Sequence, residues 1–353
     1  MPLPSGLLEE PIEWLTGENE ESELVLSCRV RLARNLDKYP FTHAARPKVL
    51  GEIRDLVKAR IAGVKVLEDA HVIDLEDTTE SDRMILAERR LISNELVKNH
   101  ANRGLAVARG GGLSMMINEE DHLRLQSIES GLSILNAYDR VSQLDDELDS
   151  DLNFAFSERF GYLTACVTNV GTGLRISSMV HLPGLVHNRD IGQILDGLRH
   201  VRLTVRGYQG EGSEVMGNFF QISNSITLGL SETDTVKNLE LHIRKVLEFE
   251  KKAREVLLNK ARSLLEDKIW RAYGILRTAR LVTSKEAMGL ISAVRMGVGL
   301  GILTEVKLLD LNELLIMIQP MHLQRLYEKA MDTEERDRSR ADYIRSRLNK
   351  KRV

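Results

Sequence analysis

The sequence predicts an α+β fold, a mixed or antiparallel sheet flanked by helices, followed by an all-α C-terminal region. Three observations carry this prediction. Before residue 231, short apolar runs rich in Val and Ile alternate with Gly, Asn and Asp, the pattern of strands bounded by turns. Helical stretches intervene over 47–60 and 119–147, which implies helices layered on a sheet. After residue 231 the apolar residues recur at helical spacing instead.

Taken in order, VKVLEDAHVIDL, RGLAVARGGGLSMMI, YLTACVTNVGTGLRISSMV and FFQISNSITLGL are the strand-bearing segments. The triple glycine at 110–112 marks a turn or an irregular strand end. Ser231 with Asp234 three residues on predicts a helix start, because the Ser hydroxyl can accept from the orphan N–H groups of the first turn. Val236, Leu239, Ile243, Val246 and Leu247 then lie on one face of a charged segment, and roughly two to five further helices reach residue 350. The chain is expected to divide near 231–250, into units 1–235 and 236–353.

A chain of 353 residues suits one large domain or two ordinary ones. With 42% hydrophobic and 29% charged residues, it has the composition of a soluble globular protein. A net charge of −3 argues against direct nucleic-acid binding. No apolar run reaches the length of a membrane span, and the acidic N-terminus lacks the pattern of a signal peptide. A cytoplasmic location is the expectation. The two cysteines, Cys28 and Cys166, make neither a disulfide framework nor a zinc site.

There is no GxxxxGK[ST] phosphate loop, no HRD-plus-DFG set and no HExxH motif. No protein metal ligand is expected. Phosphate chemistry here would rest on arginine, whose planar fork binds phosphate oxygens bidentately and keeps its charge near neutral pH. Arg29 and Arg31 in SCRVR alternate on a predicted strand and so share a face. Arg124 follows the acidic cluster Glu119, Glu120 and Asp121; Arg175 follows a Gly-Thr-Gly turn; Arg206 precedes Glu211, which glycines flank. Taken singly, each arginine reads as a surface or ion-pair residue, and Cys166 as a small buried one. The basic stretch 336–353, with eight Lys or Arg against two Asp, reads as a solvated helix face or a frayed end. Residues alone thus reach an anion site with nearby acids.

Five segments, SCRVRLARNL, NEEDHLR, GYLTACVTNVGTGLR, TVRGYQGEGSE and ISNSITLGLSE, together resemble the catalytic domain of the phosphagen (guanidino) kinases over residues 22–235. The resemblance implies that Ser27, Arg29, Arg31, Arg124, Arg175 and Arg206 bind ATP, with Mg²⁺ held by the nucleotide and water. It implies that Glu120 and Glu211 hold the acceptor guanidinium and that Cys166 is the reactive cysteine beside it. Departures mark the base end: Met179 and Arg90 each stand where many members have histidine, and Val167 follows the cysteine where proline is usual. Members acting on small guanidino compounds carry a helical domain before the first arginine motif; here about twenty residues precede it and a helical region follows.

That combination resembles the bacterial protein arginine kinase branch, which phosphorylates exposed arginines on proteins, marks them for Clp degradation or alters a repressor. The resemblance implies an activator or adaptor protein, a Clp unfoldase partner and a homodimer. It also implies an RDxxRA motif that binds phosphoarginine allosterically, matched by Arg336, Asp337, Arg340 and Ala341. Two alternatives remain open on sequence: a kinase acting on free arginine or another small guanidino compound, and a non-catalytic phosphoarginine-binding adaptor.

Overall fold

The computed structural model describes residues 3, 4, 6–207 and 216–349. Its centre is an eight-stranded sheet, numbered here in chain order: β1 (Val25–Arg34), β2 (His71–Asp74), β3 (Gly104–Val107), β4 (Leu113–Ile117) and β5 (Leu123–Ser130). A two-stranded hairpin, β6 (Phe156–Ser157) and β7 (Gly161–Tyr162), stands apart, and β8 (Leu174–His181), β9 (Leu203–Arg206) and β10 (Phe219–Asn224) complete the sheet. The spatial order is β2-β3-β4-β5-β1-β8-β10-β9, antiparallel at every pairing among the described residues.

Strand geometry makes the two faces of this sheet chemically different. In β1, Cys28, Val30 and Leu32 are fully buried while Ser27, Arg29 and Arg31 alternate with them on the other face. The apolar face packs on α4 (Ile134–Leu152), whose Ala137, Val141, Leu144 and Leu148 follow the helical repeat. Burying the larger of these side chains contributes about 1.5–3 kcal/mol each. Helix α1 (Pro47–Ile61) backs α4, and the remaining helices of this half are α2 (Glu80–Glu88), α3 (Asn94–Lys98), α5 (Pro183–His187) and α6 (Ile191–His200).

The stretch expected as helix over 119–147 is helical only from Ile134. Residues 123–130 form β5, between β4 and β1, because Leu123 and Leu125 are buried in the core while Arg124 and Gln126 take the opposite face.

Helix α7 (Glu232–Thr278) begins at the predicted cap, with the Ser231 hydroxyl accepting from Asp234 N at 3.0 Å. Its helical geometry breaks at Ala261 (φ −145°, ψ 34°). Val236, Leu239, Ile243, Val246 and Leu247 pack into the sheet's core, whereas Leu265, Ile269, Ala272 and Leu276 enter a second core with the later helices. Those are α8 (Ser284–Gly299), α9 (Leu308–Met317), α10 (Pro320–Leu326) and α11 (Thr333–Leu348). Among the described residues no helix is long and apolar enough to cross a membrane.

Candidate active site

Register gathers the arginines on the polar face of the sheet. Arg31 lies between Gln126 of β5 and Arg175 of β8, and Arg29 between Ile128 and Ser177. Arg124 pairs across from Ala33, and Arg206 enters from edge strand β9 opposite Gln221. An open cleft of about 500 Å³ is lined by Arg31, Arg124, Arg175 and Arg206 together with Glu120, Cys166 and Asn169. Two residues along β1, a smaller cavity is lined by Ser27, Arg29, Met179, Gln221, Arg90 and Trp14.

Burial and mutual repulsion disfavour the charged forms of Arg29 and Arg31. Burial pushes the Arg29 guanidinium down to about 9, with Arg90, Arg124 and Arg175 adding repulsion. Arg31 is pushed down by burial and then by Arg29, Arg124 and Arg175, against Glu119, and among the described residues its Nε has no hydrogen-bond partner. Glu119 offsets only part of this at Arg31, so a bound anion would be favoured. A polyanion such as a nucleotide triphosphate fits that need, since each phosphate oxygen accepts from a guanidinium fork.

The acids stand at one end of the cleft, on the turn joining β4 to β5. Buried Glu119 accepts from Arg124 at 2.7 Å and from the Glu120 backbone N–H at 2.9 Å. The Glu120 carbonyl accepts from the Thr42 hydroxyl, so its backbone is held on two sides. Its side chain, 44% exposed, meets Arg124 at 3.0 Å and Asn169 Nδ2 at 3.5 Å. Asp121 is fully buried, and its Oδ1 accepts from Asn35 Nδ2 and from Ala165 N, each at 2.7 Å. It thus ties the Glu120 turn to the residue before Cys166. His122 is locked beside it: Nδ1 accepts from Leu36 N at 3.0 Å while Nε2 donates to the Pro40 carbonyl at 2.9 Å, and burial lowers its pKa.

Cys166 is partly exposed, with its Sγ 3.0 Å from the Thr168 hydroxyl. The turn that follows is held by Thr227, whose hydroxyl donates within reach of the Thr168 and Val170 carbonyls at 3.0 and 2.7 Å. Gly173, at φ +64°, lets the chain pass against β1, because a Cβ there would meet the Ala33 carbonyl at 2.6 Å. By contrast Cys28 is buried, and burial raises its thiol to about 11.

Glu211 lies within 208–215, outside the described residues. The C-terminal motif is divided by its own helix. Arg340 is 2% exposed and donates to the Ile318 carbonyl at 3.1 Å, the Val282 carbonyl at 3.0 Å and Asp337. Arg336 stays on the helix surface, 3.2 Å from the Thr333 hydroxyl. Among the described residues no group of three or more His, Cys, Asp or Glu could hold a metal ion.

Sequence reasoning missed several contributors. Asp121 is visible in the sequence only as part of an acidic cluster, and nothing in the sequence singles out Asn169. Trp14 carried no motif at all. Arg34, inside the matched segment SCRVRLARNL, faces away from the cleft and pairs with Asp145 at 2.6 Å above the Tyr162 ring.

Residues 52–253 match the model of the family described as ATP:guanido phosphotransferase, C-terminal catalytic domain. Residues 262–352 match that of the protein-arginine kinase McsB C-terminal domain. The protein-arginine kinase of Symbiobacterium thermophilum is 44% identical over 95% of this chain and 96% of its own. That of Halothermothrix orenii is 42% identical over 95% and 96%. Among solved structures, lombricine kinase superposes with a TM-score of 0.60 at 23% identity, covering 69% of this chain and 71% of that one, a likeness of fold. The duplicated taurocyamine kinase of Schistosoma mansoni, solved with transition-state analogue components, gives 0.60 at 26% identity over 71% of this chain and 37% of that one. The chain that carries this arginine-lined cleft belongs to the ATP:guanido phosphotransferase family, in its protein-arginine kinase branch.

Proposed function

We propose that this protein transfers the γ-phosphoryl group of ATP to the guanidinium of arginine residues in proteins. The observation that carries the reading is the junction of a buried guanidinium cluster with Glu120 and Cys166 in one open cleft. Bound ATP would supply the phosphoryl group and negative charge beside Arg29 and Arg31, and Mg²⁺ would neutralise part of the triphosphate charge. Ser27, Arg29, Arg31, Arg124, Arg175 and Arg206 hold the phosphates, while Met179 lies toward the base end.

An acceptor guanidinium has a pKa above about 12 and attacks poorly until a proton leaves. Glu120 accepts its N–H bonds, aims one nitrogen, and takes the proton as the N–P bond forms and the P–O bond to the leaving diphosphate breaks. Glu211, five residues beyond Arg206, is the second carboxylate of this reading. Cys166 adds a polarizable acceptor at the same guanidinium. The acceptor end is open, with Val167 83% exposed beside Cys166, which suits an arginine presented on a polypeptide.

The functional boundary falls at the Ala261 break, where α7 passes from one core to the other. Arg336 and Asp337 bind phosphoarginine on the C-terminal region, and buried Arg340 positions Asp337. The resemblance extends the reading to a cytoplasmic homodimer that works with an activator or adaptor and a Clp unfoldase. Incubation with Mg-ATP and an arginine-bearing protein tests it. Acid-labile phosphate on protein arginines is expected; transfer to free arginine alone, or to neither acceptor, contradicts it.

A further inference from the structure

A cluster of charged residues that the reaction as described does not use lies behind the cleft. Arg34, the last residue of β1, is 1% exposed. Its Nε and Nη2 donate to Asp145 Oδ2 of α4 at 3.1 and 2.6 Å, and Nη2 also reaches Glu232 Oε1 in the first turn of α7 at 3.4 Å. The guanidinium carbon stands 3.5 Å from the centre of the Tyr162 ring on β7. One cation therefore joins β1, α4, β7 and α7.

The remaining nitrogen, Nη1, serves the cleft. It donates to the Ala33 carbonyl at 3.1 Å and to the Thr172 carbonyl at 2.8 Å. Thr172 is the middle residue of the Gly-Thr-Gly turn that ends the segment carrying Cys166, Thr168 and Asn169, all three of which line the cleft. Gly173 N donates to the Asn169 carbonyl at 3.1 Å, and a Cβ on Gly173 would meet Arg34 Nη1 at 2.8 Å. Glycine at 173 thus lets the guanidinium lie against the turn. From that turn Asn169 Nδ2 reaches Glu120 at 3.5 Å.

The cluster holds more acid than a simple ion pair requires. Asp145 and Glu232 share the one guanidinium, and Asp145 Oδ1 is buried with no hydrogen-bond partner among the described residues. Glu232 Oε2 accepts from the Tyr138 hydroxyl at 2.8 Å. Burial lifts the Asp145 carboxyl to about 6, against the pull of Arg34 and with Glu232 and Asp146 adding repulsion. Tyr162 and Asp149 are the further titratable groups facing the cluster.

We propose that Arg34 is a positioning residue for phosphoryl transfer, holding the Cys166–Asn169 turn in register with Glu120 through the Thr172 carbonyl, and that the charge on Asp145 fixes Arg34 in that role. The proposal rests on the reading of the cleft as a protein-arginine kinase site. Ionised Asp145 takes two N–H bonds and leaves Nη1 aimed at Thr172. Protonated Asp145 no longer holds the cation, and Glu232, on the side away from the turn, becomes its charged partner.

Transfer to an arginine-bearing protein is followed from about pH 5 to 8 with the full-length chain, and Mg-ADP affinity is measured by calorimetry at about pH 7.5 as the control. In the parent, kcat falls as pH drops through about 6 and Asp145 takes up its proton. Asp145→Asn, which keeps an oxygen acceptor for Arg34, lowers kcat about tenfold at neutral pH and abolishes that limb. Glu232→Gln removes a repelling charge and moves the limb to lower pH. Arg34→Met combined with Asp145→Asn removes the cation and its buried acid together, and lowers kcat about a hundredfold with the Kd for Mg-ADP unchanged within about twofold. A purely structural role lowers Tm and leaves the limb where the parent has it. A parent without the limb, a limb unmoved in both single variants, or a folded double variant with the parent's kcat overturns the assignment; if the double variant does not fold, the single variants decide. A parent that transfers to no acceptor refutes the kinase reading itself, so the two failures are distinguishable.

Discussion

Replacing Asp121 by alanine isolates the tie between the two halves of the acceptor end. Its carboxylate accepts from Asn35 Nδ2 and Ala165 N, each at 2.7 Å, the first bond buried and the second partly so, and both charge-assisted bonds are lost. Each contributes about 1.5–3 kcal/mol. Part of that is offset because Oδ2 is buried without a partner, a desolvation cost of about 1–3 kcal/mol that the variant escapes. The net loss is about 3 kcal/mol, a fall in Tm of about 4 °C for a chain of this size. Freed from Asp121, the Cys166 turn no longer registers with Glu120, and a misplacement of about 1 Å costs about a hundredfold in kcat. Asp121→Asn keeps an oxygen acceptor for Ala165 N and recovers most of both losses. Thermal unfolding and steady-state transfer to an arginine-bearing protein, with Mg-ADP affinity as control, read all three quantities. A folded Asp121→Ala protein with full kcat, or one whose defect lies in nucleotide affinity instead, refutes the positioning argument.

Four further outcomes follow from the same geometry. Glu120→Gln lowers kcat by about 10²–10⁴ with little change in Tm, since the side chain is 44% exposed and Arg124 keeps Glu119; a kcat within threefold of the parent contradicts its role as base. Arg31→Met weakens nucleotide binding at least tenfold yet raises the Tm of the ligand-free protein, because a buried repelled cation is removed; a lowered Tm shows that Arg31 is instead a structural residue. Native labelling with iodoacetamide modifies one cysteine per chain, Cys166, and unfolding exposes Cys28 as the second; rapid labelling of two in the native state contradicts the burial that raises the Cys28 thiol. Arg340→Ala destabilises by about 3 kcal/mol through the orphaned Ile318 and Val282 carbonyls, whereas Arg336→Ala leaves Tm unchanged and weakens phosphoarginine binding; equal Tm effects sink the division of labour.

The sequence displayed the polar face of the sheet best where alternation was strict. In SCRVR, two-residue periodicity put Arg29 and Arg31 together, and the register of β1 between β5 and β8 bears this out. The same periodicity in LRLQSIES is flanked by acidic residues before it and a helix after it, so the sequence predicts helix where the structure has β5. Long-range pairing decides such a segment, and spacing alone does not contain it. The α7 cap was legible because Ser231 and Asp234 are local to each other, but the break at Ala261 has no Gly or Pro to announce it. Arg340 looked like a surface cation in a basic tail; only the packing of α11 turns it toward the Ile318 carbonyl. The strand that carries Arg29 and Arg31 was therefore readable in outline, while the burial of Trp14 and the turn at Arg90 depend on contacts spanning most of the chain.

The central claim is met most directly by a competition in one tube: Mg-ATP, an unstructured arginine-bearing protein and an excess of free arginine, followed by ³¹P NMR and mass spectrometry of both acceptors. The account predicts P–N phosphate on the protein's arginine side chains despite the excess, and none with the Glu120→Gln enzyme. Phosphate appearing on free arginine while the protein stays unmodified, or an undiminished signal from Glu120→Gln, would contradict it.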